Sequence, residues 1–184
     1  MKKVFSIFSV IVAIVAVTPS TPQAAESHLY FGVDHAEYSW DVRGSAGKFT
    51  DSSSYALRLG YDFNNIIGIE GHFIKPGEFP NSAGSSLTQR FEGGASLYLR
   101  ANMRFERTTA YLLGGATYLK DSSGSDTGYG YGAGFDFFGT KNAALTLSYI
   151  SNYNSNSNSI EKNLTMLTLG FTIYLDPPKF NDRY

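Results

Sequence analysis

Residues 127–138, TGYGYGAGFDFF, decide how this chain folds. An extended strand sends successive side chains to opposite faces. Tyr129, Tyr131, Ala133, Phe135 and Phe137 therefore share one face, and Gly128, Gly130, Gly132, Gly134 and Asp136 share the other. A water-soluble sheet buries its bulky apolar face and dresses the opposite one with polar side chains. Here the second face is almost bare. Large rings outward and near-empty positions inward suit a narrow closed barrel surrounded by lipid. On that reading the glycines make room for charged side chains from staves across the lumen, and Gly132→Leu damages folding by overfilling it.

Working outward, eight segments carry the same period of two: 28–39, 53–63, 66–75, 89–100, 108–119, 127–138, 142–151 and 164–175. They are 10–12 residues long, enough for the ~9–11 that a tilted strand needs to cross a bilayer. None contains proline, which cannot donate to a ladder. An even strand number is the rule for a single-chain bacterial barrel. The connections alternate too. Polar stretches such as RGSAGKFTDSSS and SNYNSNSNSIEK follow the first and seventh segments, and similar ones follow the third and fifth. Shorter links at Asn64–Asn65, Met103–Arg107 and Gly139–Lys141 follow the others. Short periplasmic turns and longer outer loops give this pattern. The expected fold is all-β, an eight-stranded antiparallel up-and-down transmembrane β-barrel over 26–175. Its loops near 40–52, 76–88, 120–126 and 152–163 face the medium.

The faces of the other segments agree. Tyr55, Leu57, Leu59, Tyr61 and Phe63 alternate outward, as do Ile67, Ile69 and Phe73; Phe91, Ala95, Leu97 and Leu99; and Leu167, Leu169, Phe171, Ile173 and Leu175. Rings favour the headgroup boundary, so two aromatic rims are expected. Phe31, Tyr61, Phe63, Phe135 and Phe137 form the periplasmic rim. Tyr55, Phe73, Phe91, Tyr129, Tyr131 and Tyr149 form the external one.

Charged residues occupy the opposite faces and turn inward, because charge is costly in lipid. Asp34, Arg58, Glu70, His72, Glu92 and Arg100 are the expected interior polar network. Asp34, Arg58, Glu70 and Glu92 fall near mid-height, with Gly32, Gly60, Asp62, Gly94 and Asp136 sharing the inward phase. An eight-stranded barrel is just wide enough for side chains to fill, so a salt-bridged plug is the main expectation and a polar path for water or small ions the alternative. Acids outnumber bases here, which calls for a protonated carboxyl or a pairing with His72.

The N-terminus reads as a secretory leader over 1–25: Lys2 and Lys3, an apolar run from Val4 to Val17, then small residues up to Ala24 and Ala25. The run is too short to span a bilayer as a helix. Its removal leaves 13 basic and 16 acidic residues, a net charge near −3. Without a basic stripe, nucleic acid is not an expected partner. There is no cysteine, so disulfides play no part.

On these strands, on LGYDFNNIIGIEGHF around the first short turn and on YGYGAGFDFF before the third, the chain resembles the small OmpA/OmpX-like outer-membrane β-barrels. These are also described as a porin family or outer membrane protein beta-barrel domain. LTLGFTIYL, with Gly170, looks like the terminal recognition signal of such barrels. The resemblance implies the bacterial outer membrane, contact with its lipid and lipopolysaccharide, recognition by barrel-assembly machinery, and a monomer. Here Asp176-Pro177-Pro178 ends the last strand and leaves a short periplasmic tail over 176–184, where such barrels commonly end on an aromatic. A following peptidoglycan-binding domain is not expected.

A non-enzymatic barrel with a structural or surface-interaction, adhesion-like role through its loops is the leading expectation. A narrow pore for small solutes or hydrophobic molecules is the second. A lipid A-modifying enzyme is a third: His35, Glu37 and Ser39 alternate on one face, but residues two apart on a strand lie about 6.6–6.8 Å apart, too far for an aligned triad. His28 lies near the periplasmic end. A soluble lipocalin-like barrel would invert the faces. GYGYGAG has the glycines of a phosphate loop but a strict period of two and no helix after it. No cofactor or metal is expected.

Overall fold

The computed structural model describes residues 27–42, 48–75, 77–79, 89–121, 124–155 and 161–176. The leader expected over 1–25 and the tail beyond Asp176 lie outside them. Nine strands run in order: β1 (His28–Val42), β2 (Lys48–Asp62), β3 (Ile67–Ile74), β4 (Gly77–Phe79), β5 (Gln89–Phe105), β6 (Thr108–Asp121), β7 (Gly124–Phe138), β8 (Ala143–Ser155) and β9 (Glu161–Tyr174). Both β3 and β4 pair with β5, so together they are one stave, broken beside Pro76, which has no amide hydrogen to give a ladder. The staves are therefore eight. All neighbours are antiparallel, and β1 pairs with β9 to close the sheet on itself. Among the described residues no helix is long and apolar enough to cross a membrane, which leaves strand crossing open.

The register fixes the shape. From Tyr30 the pairing runs to Gly60, Glu70, Tyr98, Gly115, Gly130, Asn152 and Leu164. It then returns to β1 at Trp40, ten residues beyond its start. That stagger tilts the staves by roughly 35–45°. At several points a ring or an amide packs into the gap that a glycine leaves. A Cβ on Gly60 would strike the Tyr30 ring, and one on Gly130 would strike Asn152 Oδ1 and lie 3.1 Å from Tyr98 Cε1. Around Gly134 the intruder is the Tyr111 ring. The expectation that the β7 glycines make room for charged side chains is thus corrected. The nearest side chains at Gly130, Gly132 and Gly134 are Tyr98, Tyr111, Asn152, Thr117 and Ile150, none of them charged.

Period two holds over the barrel middle. In β7 every second residue from Asp126 to Phe138 is turned in, while Tyr129, Tyr131, Ala133, Phe135 and Phe137 are exposed. Short turns at 63–66, 106–107 and 139–142 join the staves at one end, here the turn end, where His28 and Tyr174 also lie. At the other, the loop end, strands run past the expected bounds. Lys48–Ser52, Gly124–Asp126 and Asn152–Ser155 are paired strand, although their polar composition reads as loop. Backbone pairing needs no apolar face once a hairpin rises clear of lipid. Only 43–47, 80–88, 122–123 and 156–160 separate the strands there, so the alternation of loop lengths lies largely in strand extensions.

Candidate functional site: the filled lumen and the outward face

Inward residues of the turn-end half build one network of charge around Arg58 and Arg100, both buried. Arg58 grips Asp34 with two donors, Nε to Oδ2 at 2.5 Å and Nη2 to Oδ1 at 3.0 Å. Nη2 also donates to Thr172 Oγ1 at 2.7 Å, and Nη1 stands 3.7 Å from Glu70 Oε2. Because Arg58 can only donate and Asp136 only accept, the hydroxyls between them have one polarity. Thr172 donates to Thr146 (2.7 Å), and Thr146 donates to Asp136 Oδ1 (2.6 Å).

Arg100 bridges the opposite side. Its Nη1 donates to Glu70 Oε2 at 2.6 Å and Tyr30 OH at 3.0 Å, and its Nη2 to Asp136 Oδ2 at 2.5 Å. Its Nε donates to Asn102 Oδ1 at 2.7 Å, and its guanidinium lies 3.7 Å from the centre of the Tyr111 ring. Tyr30 and Tyr174 donate to Glu70 and Asp136. Toward the turn end, Asn102 and Arg104 both donate to Asp62. Arg104 also donates to Asn65 and to His28 Nε2. Since His28 Nε2 accepts, its Nδ1 carries the hydrogen and donates to the Asp176 carbonyl at 2.8 Å, closing the mouth.

Four carboxylates thus meet three guanidiniums, and His72 Nε2 supplies a further donor to Glu70 Oε1 at 2.6 Å. Toward the loop end the filling changes. Ala36, Tyr38, Ile74, Tyr98, Leu113, Leu119, Ile150, Leu164 and Met166 form a buried, mainly apolar cluster, with Asn152, Thr117, Ser148 and Thr168 buried on the same inward faces. On β3 the inward sequence Glu70, His72, Ile74 records the change on one stave. Among the described residues no group of His, Cys, Asp or Glu is placed to hold a metal.

Five residues of the expected network, Asp34, Arg58, Glu70, His72 and Arg100, converge. Glu92 does not. The register shifts between Phe91 and Gly93, Gly93 has a φ of 128°, and the extra residue turns Glu92 out to Lys120 at 2.8 Å. A bulge reverses the phase of what precedes it, and period two alone hides it. The network also takes in Tyr30, Tyr111, Tyr174, Asn102, Arg104, Thr146 and Thr172, most of which share the inward phase of the expected charges.

Outside, Phe31, Tyr55, Tyr61, Phe63, Phe73, Tyr129, Tyr131, Phe135, Phe137 and Phe171 are all exposed. The side chain of Phe91 lies outside the described residues. His35 and Glu37 also point outward, with the His35 ring edge-on to Tyr55 at 5.7 Å. Aromatics at the loop-end level crowd onto β6–β8 and thin out on β9 and β1, where Asn163, Thr165, Glu37 and Ser39 stand instead. A closed sheet with apolar rings outside and paired charge inside is the pattern of a transmembrane barrel.

Residues 8–173 match the family described as outer membrane protein beta-barrel domain. The chain belongs to that family. Its members reside in the bacterial outer membrane, and the belt of this member is therefore its lipid-facing surface. No curated protein matches the sequence. Among solved structures, Neisserial surface protein A shares 14% identity at a TM-score of 0.61, covering 80% of this chain and 98% of that one. OprG from Pseudomonas aeruginosa shares 12% at 0.60, covering 82% and 96%. Ail, the attachment invasion locus protein of Yersinia pestis, solved with the heparin analogue sucrose octasulfate, shares 24% at 0.53, covering 80% and 99%. At these identities the likeness is one of fold.

Proposed function

We propose that this barrel is a sealed, non-enzymatic membrane anchor that presents its loop end to the outside of the cell for structural or adhesive contacts. The observation that carries this reading is the filling of the lumen. A charge network and a mainly apolar packed layer succeed one another along the axis, so an ion would have to displace paired charges and then part a close-packed filling. The turn end, with its short links, faces the periplasm, and the leader over 1–25 is removed on export. The chain works as a monomer, since closure leaves no unpaired sheet edge to recruit a partner.

The attachment activity named for Ail makes an adhesive role for the loops a concrete case to test. Purified protein in planar bilayers should give no steady single-channel openings, and cells displaying it should gain binding to host-cell or matrix surfaces. Stable openings would overturn the sealed reading; lack of surface binding would reduce the role to a structural one.

A further inference from the structure

The outward face of β6 is unusually bare. Its outward residues in the upper belt are Gly114 and Ala116, below Tyr118 and Lys120. On one side they pair with Leu99 and Leu97 of β5, and on the other with Tyr131 and Tyr129 of β7. Leucines and tyrosines are all exposed, so two ridges flank a strip with nothing larger than a methyl group. Those ridges stand two strand spacings apart, about 9.6 Å between backbones, which leaves a slot suited to one or two acyl chains lying along the stave.

The head of the slot has its own chemistry. Tyr129 and Tyr131 both stack on Tyr153 of β8, with centroids 5.5 and 5.8 Å apart and planes inclined by 19°. The Tyr131 and Tyr153 hydroxyls lie 3.3 Å apart. This mutual stacking holds the rings as a rigid wall beside β6, where no side chain covers them. Lys120 stands above with its ammonium exposed; Glu92 takes one of its three donors and leaves the others free.

We infer that this surface is a specific seat for one phosphorylated, sugar-headed lipid of the outer leaflet. The upper end of an acyl chain lies over Gly114 beside Tyr131, above Leu112; the sugar packs its C–H face on Tyr129 at the level of Ala116, and a phosphate meets Lys120. The seat is continuous with the lipid-facing belt, so its occupant comes from the membrane, and an apolar slot capped by rings and a cation fits a glycolipid better than a phospholipid lacking a sugar ring. The inference rests on the loop end facing outward.

The folded barrel, transferred into nanodiscs containing lipid A and phosphatidylglycerol with matched acyl chains, would be examined by native mass spectrometry after stepwise lipid removal. The wild type should retain one lipid A, at about tenfold preference over phosphatidylglycerol. Gly114→Leu with Ala116→Leu fills the slot with lipid-compatible side chains and should abolish the preference, as should Tyr129→Leu with Tyr131→Leu. Lys120→Gln should weaken it. Heat-shifted gel mobility verifies that each variant is folded, and Phe137→Leu, outside the seat, serves as a control. Equal retention of both lipids by the wild type, or unchanged preference in a folded slot-filled variant, overturns the inference. Steady channel openings alone would overturn the sealed-barrel reading and leave the seat standing. Surface labelling of a cysteine introduced at Ser157 tests the outward orientation separately; labelling only after permeabilisation would overturn both.

Discussion

Arg100 shows what single residues contribute. It holds Glu70 and Asp136 together, and its removal leaves Asp136 without a counter-charge and Glu70 with only His72 and the more distant Arg58. Breaking a buried pair costs about 3–5 kcal/mol. Arg100→Ala should therefore lower the urea unfolding free energy by that order, read from heat-shifted mobility in liposomes; a loss below about 1 kcal/mol would place the stability elsewhere. Glu92→Gln is the contrasting case: its pair with Lys120 is exposed, and its unfolding midpoint should match the wild type. Gly132→Leu should be damaging, because its Cβ would stand 2.6 Å from the Tyr149 carbonyl and 2.9 Å from Ile150 Cγ1. Backbone cannot yield there as a flexible side chain could, and overpacking of this kind costs roughly 1–3 kcal/mol. A normally folded Gly132→Leu barrel would contradict the packing described.

At the scale of the strand, what the sequence discloses follows from what fixes a strand's phase. Where one face meets lipid and the other a filled lumen, every residue is constrained, and β7 could be read residue by residue. The same parity brought out Asp34, Arg58, Glu70, His72 and Arg100. Beyond the belt both faces meet water, the constraint lapses, and paired residues such as Gly124–Asp126 look like loop. The Phe91–Gly93 bulge is hidden for a related reason: an extra residue leaves no mark on a composition that is already polar and glycine-rich. Tyr30 and Tyr174 escaped because a tyrosine suits either face, and only the positions of Glu70 and Asp136 show which end of it matters. The extended β6–β7 hairpin makes a prediction of its own. Amides of Lys120, Asp121 and Ser125 should exchange with deuterium more slowly than unpaired loop amides, yet faster than those of 129–137. Exchange at loop rates would show that pairing stops at the membrane.

For the whole molecule, the filling of the lumen matters more than any one contact. On the proposed reading its two halves would resist permeation differently, one by charge already matched and the other by a close-packed filling of apolar side chains with a few neutral polar groups such as Asn152 among them. Arg100→Met combined with Glu70→Gln and Asp136→Asn should remain non-conducting in planar bilayers, because the apolar layer of Leu113, Ile150 and Met166 is untouched. Ion flow through that variant would show that the charges alone seal the barrel.

The bond from Arg58 to Thr172 joins residues 114 positions apart, and the network draws its members from every stave except that of β6, which adds only its Tyr111 ring. Asp34 can meet Arg58 within the β1–β2 hairpin, but Asp136 meets Arg100 only when β7 faces β5 across the lumen. A half-built sheet would carry bare guanidiniums and carboxylates on the concave side, and lipid would reject it. Full neutralisation therefore waits until staves that are not neighbours in the sheet, such as β5 and β7 or β2 and β5, face one another across the lumen. The protein's own electrostatics act as an assembly checkpoint, favouring the finished cylinder over any partly inserted form.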